Sequence, residues 1–251
     1  MASVAAGFAE ATGQGVKIAT IDSGFAPGHP HLGPVVGGAS VHQDGSIRVG
    51  LEQAVDRIGH GTAVMAAIQE KAPRAEYVAV KIFHDRLRTN AATLLRAIGW
   101  CIDQGVGIVN LSLGTVNAAH RDAFAAAVED ANAAGCLLVA AREADGQPCY
   151  PGALSSVLGV DLDWDCPRDT YRCVPAADEM RFSTSGYPRP VPGVPPARNL
   201  HGVSFAVANM TGFVARACEL AGPGGEPQTH LLRVREVLMR NCAETHVKGT
   251  A

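Results

Sequence analysis

What most constrains this chain is a repeat of short, apolar, β-branched runs, each closed by a turn and separated from the next by helix-patterned sequence. The first, Val16-Lys17-Ile18-Ala19-Thr20-Ile21, stops at Asp22-Ser23-Gly24. Val78 to Phe83, Gly107 to Leu111, Cys136 to Ala140 and Val157 to Val160 repeat it. Runs of this length and β-branched content read as buried strands. Between them, Ala91 to Gln104 and Ala119 to Ala134 carry apolar residues at three- and four-residue spacing, which predicts helices. Strand–helix alternation implies an α/β fold, a mostly parallel central sheet with helices on both faces, with functional groups gathered beyond the carboxyl ends of the strands. Asp22 lies at such an end. The stretch from Asp161 to Asn199, rich in Pro, Asp, Arg and Cys, predicts irregular surface structure, and Leu231 to Cys242 a last helix on the outside.

At 251 residues the chain is expected to be a single domain, 1–251. Its net charge of −3 gives no electrostatic reason to expect nucleic acid or an anionic membrane as partner. No stretch reaches membrane-spanning length, and the first residues lack the basic start and long apolar run of a secretory signal. The seven cysteines are an odd number, which fits a reducing compartment and makes the cytoplasm the expected location. Cys149, Cys166 and Cys173 crowd one segment but lack paired metal-ligand spacing, so ordinary thiols are expected, and no metal or cofactor.

Three segments carry chemistry. Asp22 ends a buried strand, although Asp-Ser-Gly is also an ordinary turn. Gly59-His60-Gly61-Thr62 sets a histidine at the start of a helix-forming run, with Thr62 as a candidate cap; a lone histidine there is more often structural. Gly202-Val203-Ser204-Phe205-Ala206 places Ser204 where a helix begins. A hydroxyl there gains a positive helix-end field and a nearby backbone N–H, but serine at a helix start is usually only a cap.

Together, and in the order Asp, His, Ser, these segments resemble the subtilase family of serine proteases. Ala72-Pro73 with Tyr77 to Lys81, Asn110-Leu111-Ser112-Leu113-Gly114, and Phe182-Ser183-Thr184-Ser185-Gly186 extend the resemblance over most of the chain. It implies a subtilisin-like fold and acyl transfer, in which Asp22 orients His60, His60 takes the proton of Ser204, and Ser204 attacks an acyl carbon. It also implies that a peptide or protein substrate lies as an extended strand beside Ser112, Leu113 and Gly114. The alternative class is a weakened subtilase fold that binds peptides without turning them over.

The chain departs from the family pattern after Leu138-Val139-Ala140-Ala141. The family continues Gly-Asn, with the asparagine donating to the oxyanion; here Arg142-Glu143 follows, and Glu143 takes the asparagine position. A carboxylate has no donor unless protonated. Four outcomes stay open: Arg142 swings in, Glu143 is buried and neutral, Gln147 or Asn110 substitutes, or Arg142 and Glu143 pair in an exposed loop and the donor is missing. Ala208 replaces a common proline in the serine helix. The short link from Ala66 to Ala72-Pro73 leaves no room for the calcium loop many subtilases insert there. The chain starts close to the first strand, so no prodomain is expected.

Overall fold

The computed structural model describes residues 7–176, 179–222, 226–242 and 244–245. In chain order the elements are β1 (Lys17–Asp22), β2 (Gly37–Val41), β3 (Ile47–Val49), α1 (His60–Gln69), β4 (Glu76–Lys81), α2 (Ala91–Asp103), β5 (Ile108–Leu111) and α3 (Arg121–Ala133). There follow β6 (Leu137–Ala141), β7 (Glu143–Ala144), β8 (Gln147–Pro148), β9 (Leu158–Leu162), β10 (Arg172–Ala176), β11 (Glu179–Thr184), α4 (Val203–Ala221), α5 (Pro227–Arg240) and β12 (Glu244–Thr245).

One ten-stranded sheet runs in the order β12-β10-β11-β9-β6-β5-β1-β4-β2-β3. From β11 through to β2 every neighbouring pair is parallel. Antiparallel pairing is confined within this sheet to β10 with β11 and β2 with β3, toward its two edges. After β1 the chain first builds outward through β2 and β4, then returns to place β5 on the other side of β1. The winding therefore reverses at β1 and β5, and in such sheets the crevice forms beyond the carboxyl ends at that reversal.

Alternation along each strand decides which side chains meet which helices. Ile18 and Ile108 join the apolar cluster built with Val64 and Ile68 of α1, Phe205 and Val214 of α4, and Leu238 of α5. Ala19, Ile21, Val109 and Leu111 join the opposite cluster, with Ile98 of α2 and Phe124 of α3. Both faces are thus covered, which is why the strands read as continuous apolar runs. Because side chains alternate, Thr20, Asp22 and Asn110 project toward the α1 and α4 face, where apolar partners would otherwise sit. Full burial of each aliphatic or aromatic side chain contributes about 1.5–3 kcal/mol, so the three polar ones need a reason to be there.

The structure corrects two readings of the chain. Within the segment expected to be irregular, β10 and β11 pair from Arg172↔Ser183 to Ala176↔Glu179, and β11 lies parallel on β9. Cross-strand partners supply the order that its Pro- and Asp-rich composition hid. The helix expected from Ala119 starts instead at Arg121, after a 3₁₀ turn over Ala118–His120 in which Asn117 accepts from the Ala119 amide at 3.0 Å. No helix among the described residues is long and apolar enough to cross a membrane.

Candidate active site

Backbone-to-backbone docking brings the first two motifs together. α1 begins immediately above the turn after β1, so close that a Cβ on Gly61 would lie 2.4 Å from the Gly24 carbonyl oxygen and 3.1 Å from the Ser23 nitrogen. Only glycine allows that approach. The Gly61 amide then donates to Ser23 Oγ at 2.8 Å, which fixes α1 against the strand end. Asp22 is fully buried, accepts from the Ser23 amide at 2.7 Å, and holds His60 Nδ1 with both carboxylate oxygens, at 2.8 and 3.0 Å.

The start of α1 is organised by a residue that the sequence reading passed over. Asp56 Oδ1 accepts from the Ile58 and Gly59 amides at 2.8 and 2.9 Å, and its Oδ2 from the Thr62 amide and hydroxyl at 2.9 and 2.6 Å. Thr62, expected to cap the helix, is instead capped by Asp56. Asp56 lies three positions before the N-cap Gly59, outside the position at which sequence signals a cap, so its role comes from the fold. Burial would raise the Asp56 pKa, but these hydrogen bonds outweigh it and hold the carboxyl below its ordinary value. For His60, burial alone would lower the pKa; the hydrogen bond and charge of Asp22, with the charge of Asp56, reverse this and hold the imidazole above 6.5.

The third motif arrives on α4. Gly202 is its N-cap, and Ser204 lies in the first turn, where backbone amides have no intrahelical partner. Phe205 packs against the His60 ring with centroids 5.6 Å apart, so Asp22, His60 and the opening of α4 converge on one end of the sheet. The segment Phe182–Gly186 supports α4 directly. Thr184 Oγ1 donates to the Ala206 carbonyl at 2.7 Å, Asn209 Nδ2 to the Ser185 carbonyl at 2.8 Å, and the Gly202 amide to the Gly186 carbonyl at 2.9 Å. The Ser204 hydroxyl donates to the Ser112 carbonyl at 3.2 Å, so its proton must turn away from that carbonyl before it can be given to His60.

Ser112, Leu113 and Gly114 continue β5 beyond the sheet, and Ser112 lies against Ser204. Ser112 Oγ donates to the Ser204 carbonyl at 3.2 Å. Gly114 is walled in: a Cβ there would lie 2.5 Å from Cys149 Sγ and 2.7 Å from the Tyr150 carbonyl oxygen, and Thr115 exchanges backbone hydrogen bonds with Tyr150. Cys149 and Tyr150 therefore crowd one side of Gly114.

The candidates for a side-chain oxyanion donor are placed elsewhere or already engaged. Arg142 is mostly buried and turned onto Asp161, with Nε 3.9 Å from Oδ1, rather than swung toward the serine. Glu143 is not buried: it is exposed in the β7–β8 hairpin, as is Gln147. Asn110 is fully buried, and its Nδ2 donates to Ser112 Oγ at 3.0 Å. The donor that remains on α4 is the backbone itself, in the positive field of a helix N-terminus.

Cys149, Cys166 and Cys173 do not converge on one another as the crowding of the segment allowed; Cys173 instead contacts Cys242 through a side-chain hydrogen bond, and none of the seven cysteines forms a disulfide. Among the described residues no group of three or more His, Cys, Asp or Glu is arranged to hold a metal ion.

The Subtilase family model matches residues 13–160, a span that contains Asp22, His60 and Ser112–Gly114 and ends before Ser204. The chain is 34% identical over 187 residues to the Minor extracellular protease Epr of Bacillus subtilis (strain 168), covering 70% of this chain and 27% of Epr. It is 33% identical over 160 residues to a Thermostable alkaline protease of Halalkalibacterium halodurans, covering 59% of this chain and 41% of that one. It thus spans less than half the length of either relative. Among solved structures, the prenylagaramide maturation protease PagA superimposes with a TM-score of 0.62 at 24% identity, covering 85% of this chain and 80% of PagA. A cold adapted subtilisin-like serine proteinase superimposes at 0.65 and 18% identity, covering 94% and 87%. These two likenesses establish a subtilisin-like fold, and with the family match and the identity to Epr the chain belongs to the subtilase family.

Proposed function

We propose that this chain is a serine peptidase in which Ser204 is the nucleophile, His60 the general base, and Asp22 the group that orients His60 and stabilises its protonated form. The observation that carries this reading is the buried Asp22 carboxylate held on His60 Nδ1 at 2.8 and 3.0 Å. A proton on Nδ1, donated to Asp22, leaves Nε2 as the basic nitrogen. The Ser204 hydroxyl turns from the Ser112 carbonyl, gives its proton to Nε2, and its oxygen bonds to the acyl carbon. The carbonyl electron pair moves onto oxygen, where the Ser204 backbone N–H at the helix start stabilises it. Collapse expels the amine, which takes the proton from His60, and water or a second amine then releases the acyl group.

The substrate we propose is a precursor peptide lying as an extended strand along Ser112, Leu113 and Gly114, cut by hydrolysis or transferred to an amine. A maturation protease of the same fold, PagA, is compatible with that class. The odd number of cysteines, seven, supports a reducing compartment such as the cytoplasm.

A second reading, a peptide-binding subtilase fold with little turnover, is favoured by the exposure of Glu143 and the engagement of Arg142 with Asp161. Intact-mass labelling with a fluorophosphonate, run beside Ser204→Ala, separates the two. One adduct on wild type and none on the variant supports the peptidase. No adduct on folded wild type, with peptide binding unchanged by the substitution, supports the binding module.

A further inference from the structure

Between β5 and α4 runs a chain of polar groups, buried at Asn110 and Thr211 and half-buried at Ser112 and Ser204, that the triad does not use. Asn110 is fully buried on β5, at a position where the alternation calls for an apolar residue. Its Nδ2 donates to Ser112 Oγ at 3.0 Å, and Ser112 Oγ donates onward to the Ser204 carbonyl at 3.2 Å. Its Oδ1 accepts from Thr211 Oγ1 at 2.9 Å; Thr211, also fully buried, shares that single hydroxyl proton with the Val207 carbonyl at 2.8 Å. Thr211 lies two turns along the helix that Ser204 opens. The chain therefore leaves α4 at Thr211, crosses to the strand at Asn110, and returns to α4 at Ser204.

We propose that Asn110 and Thr211 are positioning residues that set the first turn of α4, and with it Ser204, against the backbone of Ser112–Gly114. This rests on the reading of Ser204 as nucleophile and of Ser112–Gly114 as the substrate strand. Two contacts hold Ser112 to Ser204, and each lies at 3.2 Å. A hydroxyl is free to rotate about its Cα–Cβ bond, so Ser112 Oγ stays on the Ser204 carbonyl only while Asn110 Nδ2 approaches it from the other side. The amide in turn keeps its orientation because Thr211 offers a donor to its oxygen. Buried polar chains of this kind fix one arrangement when every member is satisfied, and lose it when one is not. A nucleophile displaced by about 1 Å loses about 10² in rate. Asn110 is fully buried and one of its amide hydrogens is held by Ser112 Oγ, so it acts on the reaction through Ser112 and Ser204.

The test is a crossover at Thr211. Thr211→Val keeps the shape and removes the hydroxyl, whereas Thr211→Ser keeps the hydroxyl and removes a methyl group. If hydrogen bonding is what matters, fluorophosphonate labelling of Ser204 should slow roughly ten- to a hundredfold in the valine variant and stay within about twofold of wild type in the serine variant. Amide hydrogen exchange should rise in Ile108–Val116 and Leu200–Ala208 for valine and not for serine. If Thr211 only fills space, the serine variant is the poorer one on both readouts, and the proposal is wrong. Equal behaviour of the two variants overturns it as well. Failure of folded wild type to label would overturn the nucleophile reading instead; the exchange comparison then still decides, by itself, whether Thr211 and Asn110 hold α4 on the strand.

Discussion

Replacing Asp22 by Asn isolates what its carboxylate contributes. Unit charges 2.8 Å apart, the His60 Nδ1 to Asp22 Oδ1 distance, attract by about 6 kcal/mol at an effective dielectric of 20. The attraction exists only once His60 is protonated, which in the proposed mechanism happens as the Ser204 proton leaves, so it would act on the transition state more than on the ground state. Part of it offsets the burial of the imidazole, whose side chain is only 12% exposed. The Asn amide would also donate to Nδ1 and leave the proton on Nε2, the wrong nitrogen for a base. Together these should lower kcat by about 10⁴, or roughly 5.4 kcal/mol, the loss known for the equivalent change in a serine protease triad. The pH dependence should move too. With Asp22 neutral, burial is the dominant influence on His60, so the acidic limb of the residual activity should shift to lower pH. The assay is kcat/KM for a peptide substrate from pH 5 to 9, with circular dichroism confirming the fold. A loss of less than about tenfold, or a limb that stays in place, would refute the role given to Asp22.

Three further outcomes follow from the same geometry. Glu143→Asn puts an amide donor where an exposed carboxylate now stands, and if that amide reaches the oxyanion kcat should rise by about tenfold or more, up to the 10²–10³ that one such donor is worth in subtilisin; a slower variant would mean that Glu143 serves the reaction. Gly61→Ala should cost about 1–3 kcal/mol in urea unfolding, since its Cβ would lie 2.4 Å from the Gly24 carbonyl oxygen; an unchanged midpoint would remove the docking argument. Stability should also depend on pH in opposite senses at two groups. The contribution of Asp56, whose pKa is depressed, is present above the unfolded carboxyl pKa and lost as pH falls through the folded value, while that of His60, whose pKa is raised, is present below the unfolded value and lost as pH rises through the folded one. Thermal melts of Asp56→Ala and His60→Ala against wild type should each flatten the matching limb.

The parallel sheet was legible because strands buried on both faces leave an unmistakable pattern of apolar runs, and the ends of β1 and β5 could be read as the place where polar groups emerge. The strand end at Asp22 and the helix starts at His60 and Ser204 were legible for a related reason: each stands by a glycine or a turn that must exist for backbone to approach backbone or for a helix to start. Gly61 shows why, since the contact that requires it is with Gly24, the residue closing the Asp-Ser-Gly turn. β10 and β11 were hidden because their order comes from each other and from β9 rather than from local preference.

The same distinction explains why the oxyanion region resisted the sequence while the helix-end donor did not. Which way Arg142 points is decided by Asp161, on a neighbouring strand, and nothing in the Arg142-Glu143 pair encodes that partner. Asn110 is committed by Ser112 and Thr211, the latter on a helix far along the chain. A backbone N–H in the first turn of α4, by contrast, is fixed as soon as Gly202 ends the preceding segment and the helix begins. The oxyanion stabilisation proposed for the backbone alone is therefore the part set by local sequence. If an Asn at position 143 accelerates the reaction, the present site works with that backbone donor alone, and the tight hold of Asn110 and Ser112 on the start of α4 becomes correspondingly more important, because the donor and the nucleophile then belong to the same residue.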